Sequence, residues 1–110
     1  MILIAAKFPV LPEHADAWPD LSAEFTQATR SEPGCLWFEW SRSIDDPATY
    51  VLVEAFRDEA AGAEHVQSQH VTLAQQRLPA YLAATPTVVN ATVPQDDWSP
   101  LAEMAVPKQG

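Results

Sequence analysis

The sequence predicts an α+β fold, a ferredoxin-like sandwich in which a four-stranded antiparallel sheet carries helices on one face. The first observation is the order of the residue patterns: strand, helix, two strands, helix, strand. The second is the segment 44–49, whose Asp-Asp-Pro is typical of a turn, so the strands around it are expected to form a hairpin. The third is that both faces of these hairpin strands are apolar.

The N-terminal part is predicted to form a strand over 2–10 and a helix over 13–31. The strand is a run of apolar and β-branched residues that ends among prolines. Pro19 allows two interpretations, because the helix either begins near it or kinks there. The segment 32–34, Glu-Pro-Gly, is expected to end the helix, with the glycine in a left-handed turn. One helical face is indicated by the spacing of four apolar residues: Trp18, Leu21, Phe25 and Ala28.

The remaining elements complete the sandwich. The hairpin strands are predicted over 35–43 and 50–56, and Asp58 is expected to cap a second helix that runs past His65. The helical pattern continues to Leu82, with Pro79 as a disruption, and the last strand is predicted over 85–93. Residues 1–93 then form the domain. The proline-rich tail at 94–110 is either an arm that packs on a partner subunit or a loose segment.

A homodimer is predicted from the apolar second face of the sheet. Helices cover only one face in this architecture, and the chain leaves no segment for a third layer. A second copy packed sheet to sheet would remove that face from water.

Composition excludes several kinds of partner. Six basic residues against 15 acidic ones give a net charge of -9, which opposes binding to nucleic acids and to anionic membrane surfaces. No apolar run approaches the roughly 20 residues of a membrane-spanning helix. Cys35 is the single cysteine, which favours a reducing compartment and therefore the cytoplasm, although an intermolecular disulfide stays open.

Several segments resemble the antibiotic biosynthesis monooxygenase family, a quinol-monooxygenase-like group of dimeric α/β barrels. They are EPGC at 32–35, SIDDP at 43–47, and EAFRDEA at 54–60 followed by His65 and by SQH at 68–70. The resemblance covers about 2–93. It implies a homodimer with a pocket between sheet and helices in each subunit. It also implies oxidation of phenols or quinols by molecular oxygen without flavin, haem or metal.

The candidate catalytic residues are His65 and Glu54. His65 matches the helix histidine of the family, and an imidazole can take a phenolic proton near neutral pH. The alternative is a structural histidine bonded to Glu54. Glu54 lies in an apolar strand and is expected to pair with His65, Arg42 or Lys7. It is either a base with a raised pKa or part of a structural salt bridge.

The candidate substrate-binding residues are aromatic and apolar side chains that are expected on one face of the hairpin. His70, which matches a second histidine of the family, is added to them. An aromatic wall suits a flat ring, and the alternative is packing in the core. His70 either contacts the substrate or caps a helix. No metal is predicted, because His65 and His70 are five residues apart, which misses the spacing of helical zinc ligands. The full set is Trp40, Phe56, Phe38, Leu52 and His70.

The predicted function is a cofactor-independent monooxygenase that acts on a small aromatic phenol or quinol, with O2 as the second substrate. The alternatives are a non-catalytic dimer that binds a small ligand and an isomerase on the same scaffold. Oxygen consumption separates the first function from the other two.

Overall fold

The computed structural model describes residues 1–108 and has the predicted ferredoxin-like architecture. The four strands lie in the spatial order β2, β3, β1, β4, and neighbouring strands are antiparallel. They are β1 (Ile2–Pro9), β2 (Cys35–Arg42), β3 (Thr49–Phe56) and β4 (Thr87–Thr92). The helices are α1 (Trp18–Leu21), α2 (Ala23–Arg30), α3 (Glu59–Val66) and α4 (Gln69–Arg77). Single 3₁₀ turns cover Pro12–His14, Leu78–Tyr81 and Ala102–Met104.

The first helical region is shorter than predicted and divided in two. Helix α1 begins at Trp18 with Pro19 in its first turn, where the missing N–H costs no hydrogen bond. The first of the two interpretations of Pro19 is therefore confirmed. The chain leaves helical geometry at Ser22, whose hydroxyl donates to the carbonyl of Trp18 at 2.8 Å. Helix α2 then continues to Arg30.

The second helical region is also divided, and side chains define both helix starts. The Asp58 carboxylate accepts from the backbone N–H of Ala61 at 2.9 Å, which confirms the predicted cap of α3. Ser68 caps α4 by accepting from the N–H of Val71, and its hydroxyl donates to the carbonyl of His65 at 2.6 Å. The chain therefore turns between α3 and α4. Pro79 lies in the 3₁₀ turn after α4, which confirms the predicted interruption of the helix there.

A β-bulge at the start of β2 changes the predicted face of Cys35. Strict alternation would place Cys35 with Trp37. The register pairs Cys35 with Phe56 and Trp37 with Ala55, so one extra residue lies between them. Cys35 therefore faces the helices and packs in the core. Burial raises the pKa of its thiol to about 11, which keeps the thiol protonated and unreactive near neutral pH.

No α-helix of the described residues 1–108 packs on the other face of the sheet. Its apolar side chains include Val51 and Val53 of β3 and Val89 of β4, the last of which is 71% exposed. The C-terminal tail covers part of this face, because the Trp98 ring lies 5.2 Å from the Trp37 ring. A contact of the tail with a partner subunit stays a prediction. No helix among residues 1–108 combines the length and apolar character that crossing a membrane requires.

Candidate functional site

Three ionisable side chains meet beside the end of α3. Oε2 of Glu32 lies 2.7 Å from Nδ1 of His65 and 2.5 Å from Nε2 of His70. The side chains of Glu32 and His65 are 14% and 10% exposed, whereas that of His70 is 24% exposed. A carboxylate that accepts from two imidazoles forms short, directional hydrogen bonds, which hold all three groups in place. We call Glu32, His65 and His70 the Glu–His cluster.

The hairpin register and the break between α3 and α4 bring the Glu–His cluster together. Because Cys35 pairs with Phe56, the residues just before β2 lie beside the residues just after β3. Glu32 lies in the loop before β2, and His65 lies in the last turn of α3. The Ser68 cap starts α4 in a new direction, so that His70, in its first turn, reaches the same carboxylate oxygen.

Of the alternatives predicted for these two histidines, the structural one is wrong in each case. His65 binds Glu32 instead of Glu54, and Ser68 instead of His70 caps α4. Glu32 is a site residue that was not predicted from the sequence, where it is expected only at the end of a helix. The sequence does contain a signal for the position of Glu32. If the predicted hairpin pairing is extended by three residues, Glu32 lies beside the helix that follows β3.

Gly34 allows the loop of Glu32 to approach α3 closely. The predicted left-handed turn is wrong, since no glycine among the described residues has a positive φ. The requirement is space: a Cβ on Gly34 would lie 2.3 Å from the Cβ of Ala61 in α3. The carbonyl of Gly34 also accepts from the N–H of Arg57 at 2.8 Å, which ties the loop to the end of β3. The missing side chain therefore lets the loop that carries Glu32 pack against α3, the helix that carries His65.

The substitution Gly34→Ala is expected to lower the free energy of unfolding by about 1–3 kcal/mol, since the new methyl group overlaps Ala61 and forces α3 away. Urea denaturation would measure the change. Gly62→Ala is the matched control, because a Cβ at Gly62 in α3 meets nothing within 4 Å and alanine favours helix. A Gly34→Ala protein as stable as wild type would contradict the close packing of this loop on α3.

Aromatic rings adjoin the Glu–His cluster. The Phe56 ring lies 4.7 Å from the His65 ring, and the Phe25 ring lies 6.2 Å from His65 and 6.5 Å from His70. Such apolar neighbours keep water away from the hydrogen bonds of Glu32, which strengthens them.

Glu54 lies on β3 and is 6% exposed, but it lacks the predicted partner. Arg42 instead binds Asp16 at 2.8 Å, and Lys7 belongs to the opposite face of the sheet. No ion pair joins Glu54 to a cation among the described residues. Burial raises the pKa of Glu54 to about 7, and the charge of Glu32 adds to the shift. The salt-bridge alternative is therefore wrong, and a role of Glu54 in proton transfer stays a prediction.

A groove between α2 and α4 reaches the Glu–His cluster. Its volume of about 340 Å³ is in the range of small-molecule sites, and His70 forms part of its wall. Arg77 and Glu24 also line the groove and form an exposed ion pair at 3.6 Å. The other lining side chains are apolar or aromatic: Leu21, Phe25, Ala28, Leu73, Ala74, Leu78 and Tyr81.

Most of the predicted substrate-binding residues lie in the core. Phe38 and Leu52 are 2% exposed, and Phe56 is fully buried, so the structure places all three in packing positions. Trp40 donates from Nε1 to the hydroxyl of Thr26 at 2.9 Å and lines a separate pocket of about 320 Å³. Of the five predicted residues, His70 lines the groove. Substrate contact by the other four stays a prediction.

The five-residue spacing of His65 and His70 does not exclude a metal in this structure. The two histidines lie on separate helices, because α3 ends at Val66 and α4 begins at Gln69. The rings of His65 and His70 are 5.9 Å apart, and Glu32 lies between their bonding nitrogens.

The chain is similar to known proteins over most of its length. Residues 1–77 match the sequence profile of the family described as antibiotic biosynthesis monooxygenase. A crystal structure of an antibiotic biosynthesis monooxygenase is 29% identical, with a TM-score of 0.76 over 84% of this chain and 98% of that one. A protein of Mycobacterium tuberculosis is 26% identical, with a TM-score of 0.76 over 89% and 98% of the two chains.

Two further relatives extend the comparison. A structure from Caulobacter crescentus has a TM-score of 0.80 over 86% of this chain and 90% of that one, but at 20% identity it supports the fold alone. An uncharacterised protein of Synechocystis sp. is 27% identical over 82 residues, which are 74% of this chain. The match spans 56% of that relative, little more than half of its length.

Proposed function

Because this chain belongs to the antibiotic biosynthesis monooxygenase family, we propose that it oxidises a small phenol or quinol with molecular oxygen. The observation that carries the proposal is the environment of His70. Its ring lines the apolar groove between α2 and α4, while its Nε2 is bonded to Glu32. The groove, rather than the buried face of the hairpin, is the proposed substrate site.

Glu32 gives His70 the form that a general base needs. An imidazole that donates its Nε2–H to a carboxylate keeps a lone pair on Nδ1. That nitrogen would take the proton of a phenolic hydroxyl bound in the groove. The apolar walls exclude water and thereby strengthen the contact between the resulting imidazolium and the phenolate. His65 binds the same oxygen of Glu32 and holds the carboxylate in place.

The phenolate is the proposed electron donor to oxygen. A hydroquinone and one O2 give a hydroxyquinone and one water. One oxygen atom enters the ring, the other leaves as water, and the substrate supplies all four electrons. The reaction therefore balances without a flavin, a haem or a metal as reductant.

Oxygen uptake tests the proposed function. Protein freed of metals and flavin would be mixed with a panel of hydroquinones and anthrones in an oxygen electrode. We expect uptake above the rate in buffer, with one atom of labelled O2 in the product. If oxygen uptake with the protein equals the uptake in buffer alone for every compound, the proposal is overturned. Tight binding without uptake would then indicate a ligand-binding protein, and a new product without oxygen demand would indicate an isomerase.

We also propose that two copies pack through the sheet face that carries no helices. Val51 and Val53 of β3 and the neighbouring Ala5 of β1 form an apolar strip there. Side chains of this kind gain about 25 cal/mol for each Å² removed from water, which favours association. The family resemblance implies the same arrangement.

The substitution Val53→Glu is expected to weaken this dimer by at least about 10²-fold, because it adds a buried carboxylate beside Glu39, its cross-strand neighbour on β2. Sedimentation velocity over a concentration series would measure the change. Ile44→Glu is the control, since Ile44 lies in the hairpin turn and is 97% exposed. A wild-type protein that sediments as a 12.1 kDa particle at micromolar concentration would refute the dimer itself.

A further inference from the structure

We propose that Glu32, His65 and His70 bind one divalent transition-metal ion, of which Zn²⁺ and Fe²⁺ are the closest matches. One ligand atom from each side chain lies within 4.8 Å of the other two. The ligand atoms are Nδ1 of His65, Nε2 of His70 and an oxygen of Glu32.

The donor set selects the class of ion. Two imidazoles and one carboxylate suit Zn²⁺, Fe²⁺ and their neighbours, whereas Ca²⁺ and Mg²⁺ prefer oxygen ligands alone. Three protein ligands leave at least one coordination position for water or another small molecule. The groove that His70 lines gives such a molecule a path to the ion.

Small movements convert the hydrogen-bonded cluster into a metal site. Metal bonds of about 2.1 Å in a tetrahedral arrangement place ligand atoms about 3.4 Å apart. Glu32 now lies 2.7 Å and 2.5 Å from the two nitrogens, so the ion needs these contacts to open by less than about 1 Å. The two nitrogens lie within 4.8 Å of each other and would close by up to about 1.4 Å. Both imidazoles would carry their hydrogens on the outer nitrogens, Nε2 of His65 and Nδ1 of His70, and turn their lone pairs toward the ion.

The surroundings support an ion of this kind. The carboxylate and the two rings are held by α3, by the start of α4 and by the loop that packs on α3 through Gly34. Phe56 and Phe25 provide an apolar wall beside the ligands. Ordering the ligands on metal binding costs less free energy when the side chains are already held in place and partly shielded from water.

Metal binding and the proposed oxidation are tested separately. A bound ion places the hydrogen of His70 on Nδ1, so the loaded protein lacks the proton acceptor that the oxidation needs. The oxidation is therefore measured on metal-free protein with substrate, and metal binding is measured without substrate. Failure of either measurement leaves the other proposal intact.

Titration of tag-free protein with zinc sulfate tests the site. Chelator-treated protein of residues 1–110 would be titrated by calorimetry, and Co²⁺ would be added in parallel to record visible absorption. We expect one Zn²⁺ per chain, a rise in the melting temperature on binding, and cobalt absorption bands of a low-coordinate site. An excess of Ca²⁺ should not displace the zinc, because the acidic surface residues that would hold Ca²⁺ do not form the site.

Three variants locate the binding. Glu32→Gln and His70→Asn should each lower the zinc affinity at least about tenfold, since each removes a ligand. His14→Asn should not, because His14 is the remaining histidine of the three and contacts Tyr81 away from Glu32. Absence of saturable zinc binding by the folded wild-type protein would overturn the proposal. Undiminished affinity in both Glu32→Gln and His70→Asn would overturn it as well.

Discussion

Replacing His70 with asparagine is expected to lower kcat for oxygen uptake by about 10²–10⁴-fold, the usual contribution of a positioned general base. Asparagine keeps a polar side chain at the start of α4 but cannot accept a proton at neutral pH. KM should change much less than kcat, because the apolar wall of the groove remains intact. Steady-state rates in an oxygen electrode, at saturating and at low substrate, would separate the two parameters.

A second substitution in the same helix controls for effects on folding. Gln76 of α4 is exposed and lies outside the lining of the groove, so Gln76→Asn changes the helix without touching the site. This variant should retain the wild-type rate. Melting curves of both variants would show that each is folded. If the folded His70→Asn protein has the wild-type kcat, His70 is not the base. The proposed proton transfer is then wrong, even if the wild-type protein consumes oxygen.

The pKa of Glu54 is about 7 in the folded protein, instead of its ordinary value of 4.5. Raising the pH from 4.5 to well above 7 is therefore expected to lower the free energy of unfolding by about 3 kcal/mol. Between these two values the folded chain holds a proton on Glu54 that the unfolded chain has released. The free energy of unfolding therefore falls as pH rises through this window. The contribution is fully present below pH 4.5 and is lost above about 7.

The substitution Glu54→Gln should remove this dependence, because glutamine stays neutral at every pH in the window. Urea denaturation of both proteins at a series of pH values would give the difference, in which the other titrating groups cancel. At pH 8 the variant should be the more stable protein, and at pH 4.5 the two should be similar. Glu64→Gln is the control, since Glu64 is an exposed glutamate of α3 and lies away from the proposed dimer face. If the free energy of unfolding depends on pH in the same way in wild type and in Glu54→Gln, then Glu54 ionises as an exposed group does and the prediction is wrong.

The buried acid also bears on the Glu–His cluster. The charge of Glu32 is the second of the two causes of the raised pKa of Glu54, after burial. Glu32 has two imidazoles to bind its negative charge, whereas Glu54 has no cation beside it among the described residues. Glu54 therefore holds its proton to higher pH than an exposed glutamate does, and Glu32 is the acceptor for both histidines.

Local patterns were sufficient to predict the architecture. The strand runs, the turn at 44–49 and the Asp58 cap depend on residues that are close in sequence, and each forms as expected. Pro19 begins a helix for the same reason, since its ring fixes one backbone angle whatever lies around it. Two errors came from features that a pattern does not encode. One extra residue at the start of β2 turned Cys35 to the other face, and Ser68 ended a helical pattern that continues in the sequence.

The sequence by itself determined that this chain forms a four-stranded sheet with helices on one face, and that His65 and His70 lie on the helical segment after the hairpin. Only the tertiary structure decided that Glu32, 33 and 38 residues away from the two histidines, is their partner. It also decided that the open groove lies between α2 and α4 and not along the hairpin aromatics. The physical reason is that periodicity gives the face on which a side chain lies. The neighbour it meets depends on strand register, on a helix break and on the space that Gly34 leaves.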